Sequence, residues 1–464
     1  MSNSYTGIRA TYVYENQINP FIVDEVMTSV GREQNMAQIY FIRALLNFQI
    51  ISRFGGFPIV TKELEANSNI SIPRTNYDES VEYIVSLCDK AIEVLPVTVD
   101  NANLGRATKG AAMALKARLL LYAASPLYND PDNPENDAMH GQYNPEKWEK
   151  AAKAAANIIN LKDNRGNLVY KLSNSRYDLF LSINDPEIIF NKLAAVSNTL
   201  EQQNAPVGFQ NGRGGSCPTL NLVDAYGMKD GTAFDWNNTE MAKNPFSNRD
   251  PRFDNDILYN GATYIGGYEV STHEGGADLI GIYATRTGFY LRKFMSNSVN
   301  WWGTESKVNH SFILFRFAEV LLNYAEAMNE AYGPDSDPEN YGLTARQAIK
   351  LIRERAGLTG STDLSQTVPA NDKVLMQRAI RNERQVELAY EEHRGYDLRR
   401  WKTAEDVLNQ PAYGLKITKN ADGSFQYDRI EAEKRVFLPK MYYYPFPLSE
   451  INRNSGLIQN KGWN

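Results

Sequence analysis

Apolar and polar positions repeat with a helical period in two blocks of this chain, and the period fades between them. In the first block, Met36, Ile39, Tyr40, Ala44, Leu46 and Ile50 predict a helix over 31–54. Gly55 and Gly56 permit left-handed geometry there and Pro58 blocks continuation, so the helix stops. Tyr77, Val81, Ile84, Cys88, Ile92 and Leu95 predict a second helix over 77–95, with Asp78 well placed near its start. Thr108–Ala124 reads as a third helix. Pro145–Ile159 reads as a fourth, whose alanines favour close packing.

From about residue 161 to 310 glycine, asparagine and aromatics dominate. The pattern predicts irregular structure with a strand at Glu187–Phe190, a short helix at Leu220–Tyr226, and short strands near Tyr264–Tyr268 and Gly288–Phe294. Loops this long in a folded chain are functional or disordered, and the aromatics argue against disorder.

Helical spacing returns at Phe312–Glu330 and continues through Leu343–Arg355. Met376, Ala379, Ile380, Val386, Ala389 and Tyr390 then make an apolar seam, Gly395 reads as the stop, and Tyr396–Trp401 as a short further helix. The remaining positions carry Arg378, Arg381, Glu383, Arg384, Glu387, Glu391 and Glu392. We expect these charges on a solvated face laced with Arg–Glu pairs, each worth about 0.3–0.5 kcal/mol, with nothing poised for catalysis. A turn and strand-like tail follows from about residue 411. Short connections imply antiparallel helix neighbours. The helix pairs suggest degenerate tetratricopeptide units, although no repeat of the roughly 34-residue consensus is clean.

Length alone would suggest about three domains, and a composition of 42% hydrophobic and 22% charged residues is that of an ordinary globular protein. No apolar run approaches the roughly 18–20 residues that span a bilayer. The net charge of −6 argues against nucleic acid as a partner. The 27 tyrosines suit a large helical protein and equally a sugar-binding surface. Cys88, in a helical pattern, reads as a small buried hydrophobe; with the distant Cys217 it makes neither a disulfide framework nor a metal site.

Catalytic and metal motifs are poor. His140, His273, His310 and His393 are in no ligand spacing, and His273-Glu274 is followed by Ala277 where a zincin needs its second histidine. The acidic loop DPDNPEND (130–137) puts Pro134 where a calcium loop needs Asp or Asn, so a solvated loop is expected. GRGGS at 212–216 lacks the Lys-Ser/Thr of a phosphate loop. A glycosidase needs two carboxylates facing one sugar, and nothing marks such a pair.

The sharpest local feature is Trp301-Trp302, in the polar loop SNSVNWWGTESKVNH. Adjacent tryptophans in an extended loop cannot both enter one core, so at least one is expected to be exposed. An exposed indole is a platform for the C–H face of a sugar, and flanking Asn and Glu could take its hydroxyls. The alternative is that the pair packs the loop onto a scaffold or a partner protein. Tyr264, Tyr268, Tyr283 and Trp236 are further aromatic candidates, each with packing as the stronger alternative. Asn297, Asn300 and Arg292 are hydrogen-bonding candidates; for Arg292 the alternative is a structural ion pair.

Five segments, in order, resemble the SusD/RagB family of nutrient-binding outer-membrane lipoproteins of the Bacteroidetes. They are QIYFIRALLNFQIISRFGGFPIVT, GRATKGAAMALKARLLLYAASPLYN, FRFAEVLLNYAEAMNE, RNERQVELAYEEHRGYDLRRWK and YYYPFPLSEINRNSGLIQNKGW. The resemblance implies a mainly α, SusD-like fold in a single domain over 1–464. A degenerate tetratricopeptide-type scaffold (1–160 and 311–402) would support a loop-rich ligand region (161–310) and a C-terminal tail (403–464). It implies a cell-surface oligosaccharide-binding protein, not an enzyme and without a cofactor. A lipid anchor would hold it on the outer membrane, facing outward, and it would deliver ligand to a TonB-dependent barrel of the SusC/RagA type. In the family, ligand-binding aromatics come from the general region of Trp301-Trp302. Family members begin with a signal peptide and a lipidated cysteine; here Tyr5–Gln17 already resembles the first helices, so we expect a truncated chain whose anchor, and some site residues, lie upstream. Peptide capture within the family and a protein-binding helical scaffold stay open beside the glycan reading. So does an α-helical glycan-degrading enzyme, with two essential carboxylates near the tryptophans.

Overall fold

The computed structural model describes residues 1–18, 28–64, 70–133 and 136–463. It is predominantly helical. Helices α1 (Ser2–Ile18), α2 (Ser29–Phe54), α3 (Tyr77–Val94), α4 (Lys109–Ala124) and α5 (Glu146–Ile159) each pack on the next in sequence. The chain then leaves the scaffold, and the Phe317–Tyr332 helix returns to pack directly on α5. The Ala345–Arg355 and Lys373–Glu387 helices pack on that one in turn. The loop-rich stretch is therefore an excursion inserted between two neighbouring helices.

Local chemistry sets the helix ends. Thr28, Asn76, Thr108 and Asp372 cap helix starts with side-chain oxygens, and Thr344 and Gln347 form a reciprocal capping box. At the end of α2, Gly55 takes φ +74° and donates its N–H to Ile51 O at 3.0 Å. The main core runs through all these helices, with Phe41, Ile84, Leu115, Leu321, Ile349 and Met376 fully buried, and Cys88 lies in it as a free thiol.

Among the described residues three small antiparallel pairs supply the strands: β1 (Ile188–Lys192) with β4 (Phe312–Arg316), β2 (Ile257–Leu258) with β3 (Tyr290–Leu291), and the tail hairpin β5 (Ala412–Lys419) with β6 (Phe425–Glu433). β4 corrects the expectation of helix from Phe312. The FILFR run is a short apolar stretch that periodicity alone does not assign, and pairing with β1 decides it. Tyr264–Tyr268 also departs from its expected strand; Ile265–Gly267 is a short 3₁₀ turn closed by the Thr263–Glu269 bridge.

Most of the charges expected on a solvated face are instead inside the protein: Glu383, Arg384 and Glu387 are buried and the Glu391 side chain nearly so, while Arg378 and Glu392 stay exposed. The Lys373–Glu387 helix packs on the Phe317–Tyr332 helix, while Val386 and Ala389 contact a second core containing Leu220, Val223 and Phe253. Over 381–387 Asn382 alone stays fully exposed. Glu387 is fully buried among four guanidiniums. Arg316 lies at 2.8 Å and Arg252 at 3.0 Å, Arg355 is in direct contact, and Arg176 lies at 3.5 Å. Arg316 also binds Glu187 at 2.7 Å and Glu391 at 2.6 Å, and Arg176 holds Asp256 at 2.6 Å. A second buried group joins Arg400 to Glu326 at 2.7 Å and to Asp397 at 2.8 Å, and Arg384 to Asp397 at 3.1 Å. Ions at such depth survive only when their lone pairs and protons are met by opposite charges. These ones tie Glu187, Asp250, Arg252 and Asp256 of the excursion to the scaffold helices.

Gly395 is not the stop. It lies inside the Arg394–Arg400 helix, and the chain turns earlier, with Tyr390 at φ +64° and Glu392 at φ +63°. The left-handed backbone of two non-glycine residues is uncommon and is held here by the ion network on either side.

Candidate functional site

Phe209, which sequence reasoning missed, organises the candidate site. It sits in a tight turn, with Gln210 at φ +35° and Asn211 at φ +63°. The GRGGS segment that follows folds back on the preceding chain: Gly214 N–H donates to Ala205 O at 2.9 Å and Gly215 N–H to Gln203 O at 2.8 Å. A side chain at Gly212 would strike the carbonyl oxygens of Ala205 and Pro206. The glycines thus serve close backbone approach and hold Phe209 in place.

Four of the aromatic candidates converge on this ring. Tyr264 and Tyr268 lie with ring centroids 5.1 Å from it, Trp301 at 5.6 Å and Trp302 at 4.9 Å, all edge-to-face. The two indoles meet at 4.8 Å and 85°. Trp301 is half-buried and donates its indole N–H to Gln210 O at 2.8 Å. Trp302 is 36% exposed and makes the open edge of the cluster. Asn300 acts locally: its side-chain oxygen accepts Trp302 N–H at 3.2 Å and turns the loop.

Two buried carboxylates position this group. Asp278 is fully buried; it accepts Tyr268 O–H at 3.0 Å, Gly208 N–H at 2.9 Å and Ser271 N–H at 2.7 Å, joining the Tyr268 loop to the Phe209 turn. Burial, and then the Asp278 charge, push the Tyr268 hydroxyl well up, so it stays a neutral donor. Glu201, also fully buried, accepts Ser296 N–H at 2.8 Å and meets His310 Nε2 at 2.8 Å, pinning both flanks of the tryptophan loop. Neither acid has a sequence signal; each is one of many acidic residues in a polar stretch.

Tyr264 supports the cluster from below, and the remaining candidates lie apart. Tyr264 is almost wholly buried, with its hydroxyl 3.9 Å from Met295 Sδ, so its part is packing beneath the cluster. Arg292 and Asn297 line an open depression of about 440 Å³ on the Tyr264 side, with Asp254, Tyr259, Thr263 and Gly266. Among the described residues the guanidinium of Arg292 has no carboxylate within ion-pair distance, contrary to the expected structural pair. Tyr283 is 62% exposed at a loop tip with Ile280 and Ile282, beside Gly214, and stacks on none of the described aromatics. Trp236 belongs elsewhere: it packs on Phe234 at 5.0 Å and donates to Asp224 at 3.1 Å, against the core under the tail hairpin.

Among the described residues no group of three His, Cys, Asp or Glu could hold a metal ion. In the acidic loop Asp130 pairs with Lys402 at 2.7 Å and Asp137 caps the following turn; Pro134 and Glu135 lie outside the described residues. No described helix is long and apolar enough to cross a membrane. The arrangement offers flat apolar edges and neutral donors, which is the equipment of binding by stacking and hydrogen bonds.

Comparison with known proteins agrees with this architecture. Residues 186–463 match the SusD family, and residues 2–121 match a family described as starch-binding and associating with the outer membrane. The chain belongs to the SusD family. A SusD-like protein of Formosa agariphila is 24% identical over 454 residues, covering 92% of this chain and 72% of that one. A SusD-like carbohydrate binding protein of Bacteroides fragilis, 25% identical, superposes with a TM-score of 0.80 over 98% of this chain and 85% of its own. A laminarin binding SusD-like protein, 21% identical, shares the fold at a TM-score of 0.60 over 100% of this chain and 85% of its own.

Proposed function

We propose that this protein captures a glycan at the outer face of the outer membrane and hands it, chemically unchanged, to a TonB-dependent barrel of the SusC/RagA type. A lipid anchor holds it there, and one SusD-like domain over 1–464 carries the site in its 161–310 excursion. The observation behind this reading is the cluster around Phe209, which presents Trp302 at the surface on a rigid, hydrogen-bonded base. The family's description as starch-binding and outer-membrane-associated supports it, as do the carbohydrate binding and laminarin binding neighbours. The two acids beside the cluster support binding without catalysis. Asp278 and Glu201 are fully buried and engaged with backbone N–H groups, so they do not form a pair facing one sugar.

The test is native affinity electrophoresis against a panel of polysaccharides, with Trp302→Ala and Phe209→Ala alongside. Retardation by at least one glycan, lost in both variants, with no time-dependent release of reducing ends, is the expected result. Retardation that survives both variants would move the site. Retardation by no glycan, together with binding of a peptide ligand, would replace glycan capture by peptide capture.

A further inference from the structure

Arg292 is an exception among the described cations of this region that are not solvent-exposed. Its neighbour Lys293 is buried and satisfied by Ala389 O at 2.7 Å and Glu391 at 2.6 Å. Arg176, Arg252 and Arg316 each hold at least one carboxylate. The Arg292 guanidinium, half-buried, has no acceptor among the described residues and faces the depression. Its base is rigid: Arg292 N–H donates to Asp256 O at 2.9 Å, and its carbonyl accepts Met295 N–H at 3.1 Å. The acid nearest in composition, Asp254, accepts the Tyr259 hydroxyl at 2.8 Å and is not in ion-pair contact with Arg292.

The surroundings suit one ring of a saccharide. Gly266, at φ +67°, has open space where a side chain would stand, which keeps the depression clear. Asn297 is exposed and its backbone is fixed by the Tyr177 hydroxyl at 2.7 Å, leaving its amide for sugar hydroxyls. Tyr264 belongs both to the lining and to the Phe209 cluster, so the depression adjoins the cluster. A guanidinium shielded from part of its water gains most from a planar or tripodal oxyanion, through paired charge-assisted hydrogen bonds.

We infer that the depression beside Tyr264 binds an acidic sugar residue, with Arg292 taking its carboxylate or sulfate group and Asn297 its hydroxyls. This rests on the glycan-capture reading above and specifies the class of glycan.

The experiment compares a neutral β-glucan, polygalacturonate (carboxylate alone) and a sulfated galactan (sulfate alone) by titration calorimetry, using the wild type, Arg292→Gln and Arg292→Lys. The expected result is that at least one acidic glycan binds more tightly than the neutral one. Arg292→Gln should weaken that binding by about tenfold or more and leave any neutral-glycan binding within about twofold. Arg292→Lys should keep part of the affinity, because the charge remains while the planar fork is lost. Preference for polygalacturonate assigns a uronate, and preference for the galactan assigns a sulfate ester. Equal binding of neutral and acidic glycans, or equal losses for both in Arg292→Gln, overturns this inference and leaves glycan capture standing. Binding of no glycan at all overturns both.

Discussion

Replacing Glu387 by glutamine tests whether the buried ion network is the joint between scaffold and excursion. The wild-type carboxylate meets Arg316 and Arg355 through one oxygen and Arg252 through the other, with Arg176 at 3.5 Å. Glutamine keeps a single acceptor oxygen. Its amide N–H₂ must then face at least one guanidinium, a donor against a donor, in a site with no exposure. Breaking a buried pair by removing one partner costs about 3–5 kcal/mol, because the remaining charge has lost both water and its counterion. The side chain is shared by several arginines, so we place Glu387→Gln in the upper part of that range. Equilibrium unfolding in urea, followed by far-ultraviolet circular dichroism, reads the loss directly. Glu392→Gln is the control: Glu392 is exposed on the same turn and should change stability by less than about 0.5 kcal/mol. A loss under about 1 kcal/mol for Glu387→Gln would refute the reasoning and return these charges to a solvated face.

Other outcomes follow from the same geometry. Burial pushes the His393 ring down to about 4, against the pull of Glu319. The unfolded imidazole therefore takes its proton first, and stability falls as pH drops from about 6.5 towards 4, by up to ~3 kcal/mol; His393→Gln should flatten that limb of a pH–stability curve. Burial raises Glu391, but the Arg316 and Lys293 charges outweigh it and hold the carboxyl at about 2, so a second loss appears as pH falls from about 4.5 to 2, and Glu391→Gln should remove it. Phe209→Ala should weaken glycan binding as much as Trp302→Ala, by about 2 kcal/mol or roughly thirtyfold, because it removes the ring on which both indoles rest. Asp278→Asn should lower ligand affinity, measured by calorimetry, since its amide N–H₂ would face the Gly208 or Ser271 N–H, donor against donor, and loosen the Tyr268 and Gly208 loops.

The scaffold was legible in the sequence because its helices carry apolar faces and side-chain caps. Helices expected at 31–54, 77–95 and Thr108–Ala124 stand within a residue or two of those bounds. What failed was the rule that charge means solvent. Glu383, Arg384 and Glu387 look like one face of a surface helix until Arg316, Arg252 and Glu187, scattered through the chain, arrive in three dimensions. Phe312–Arg316 was misread because four apolar residues followed by an arginine fit a helix start as well as a strand. At the candidate site, Trp301, Trp302, Tyr264 and Tyr268 were visible as aromatics in an irregular stretch, and they do meet. Phe209 escaped notice as a lone ring among glycines and amides, although those glycines were its signal: such a turn exists to present something. Trp236 carried the same aromatic cue but joined another core, because residue type does not encode which loop lies beside which.

The proposed function stands or falls with the Phe209 cluster as a glycan platform. The most direct test is titration calorimetry of the glycan retained in electrophoresis, with wild type, Trp302→Ala and Trp236→Ala measured side by side. A glycan platform on Phe209 predicts a roughly thirtyfold or greater loss for Trp302→Ala and unchanged affinity for Trp236→Ala. Undiminished affinity in Trp302→Ala, with the same fold and thermal stability, would contradict it.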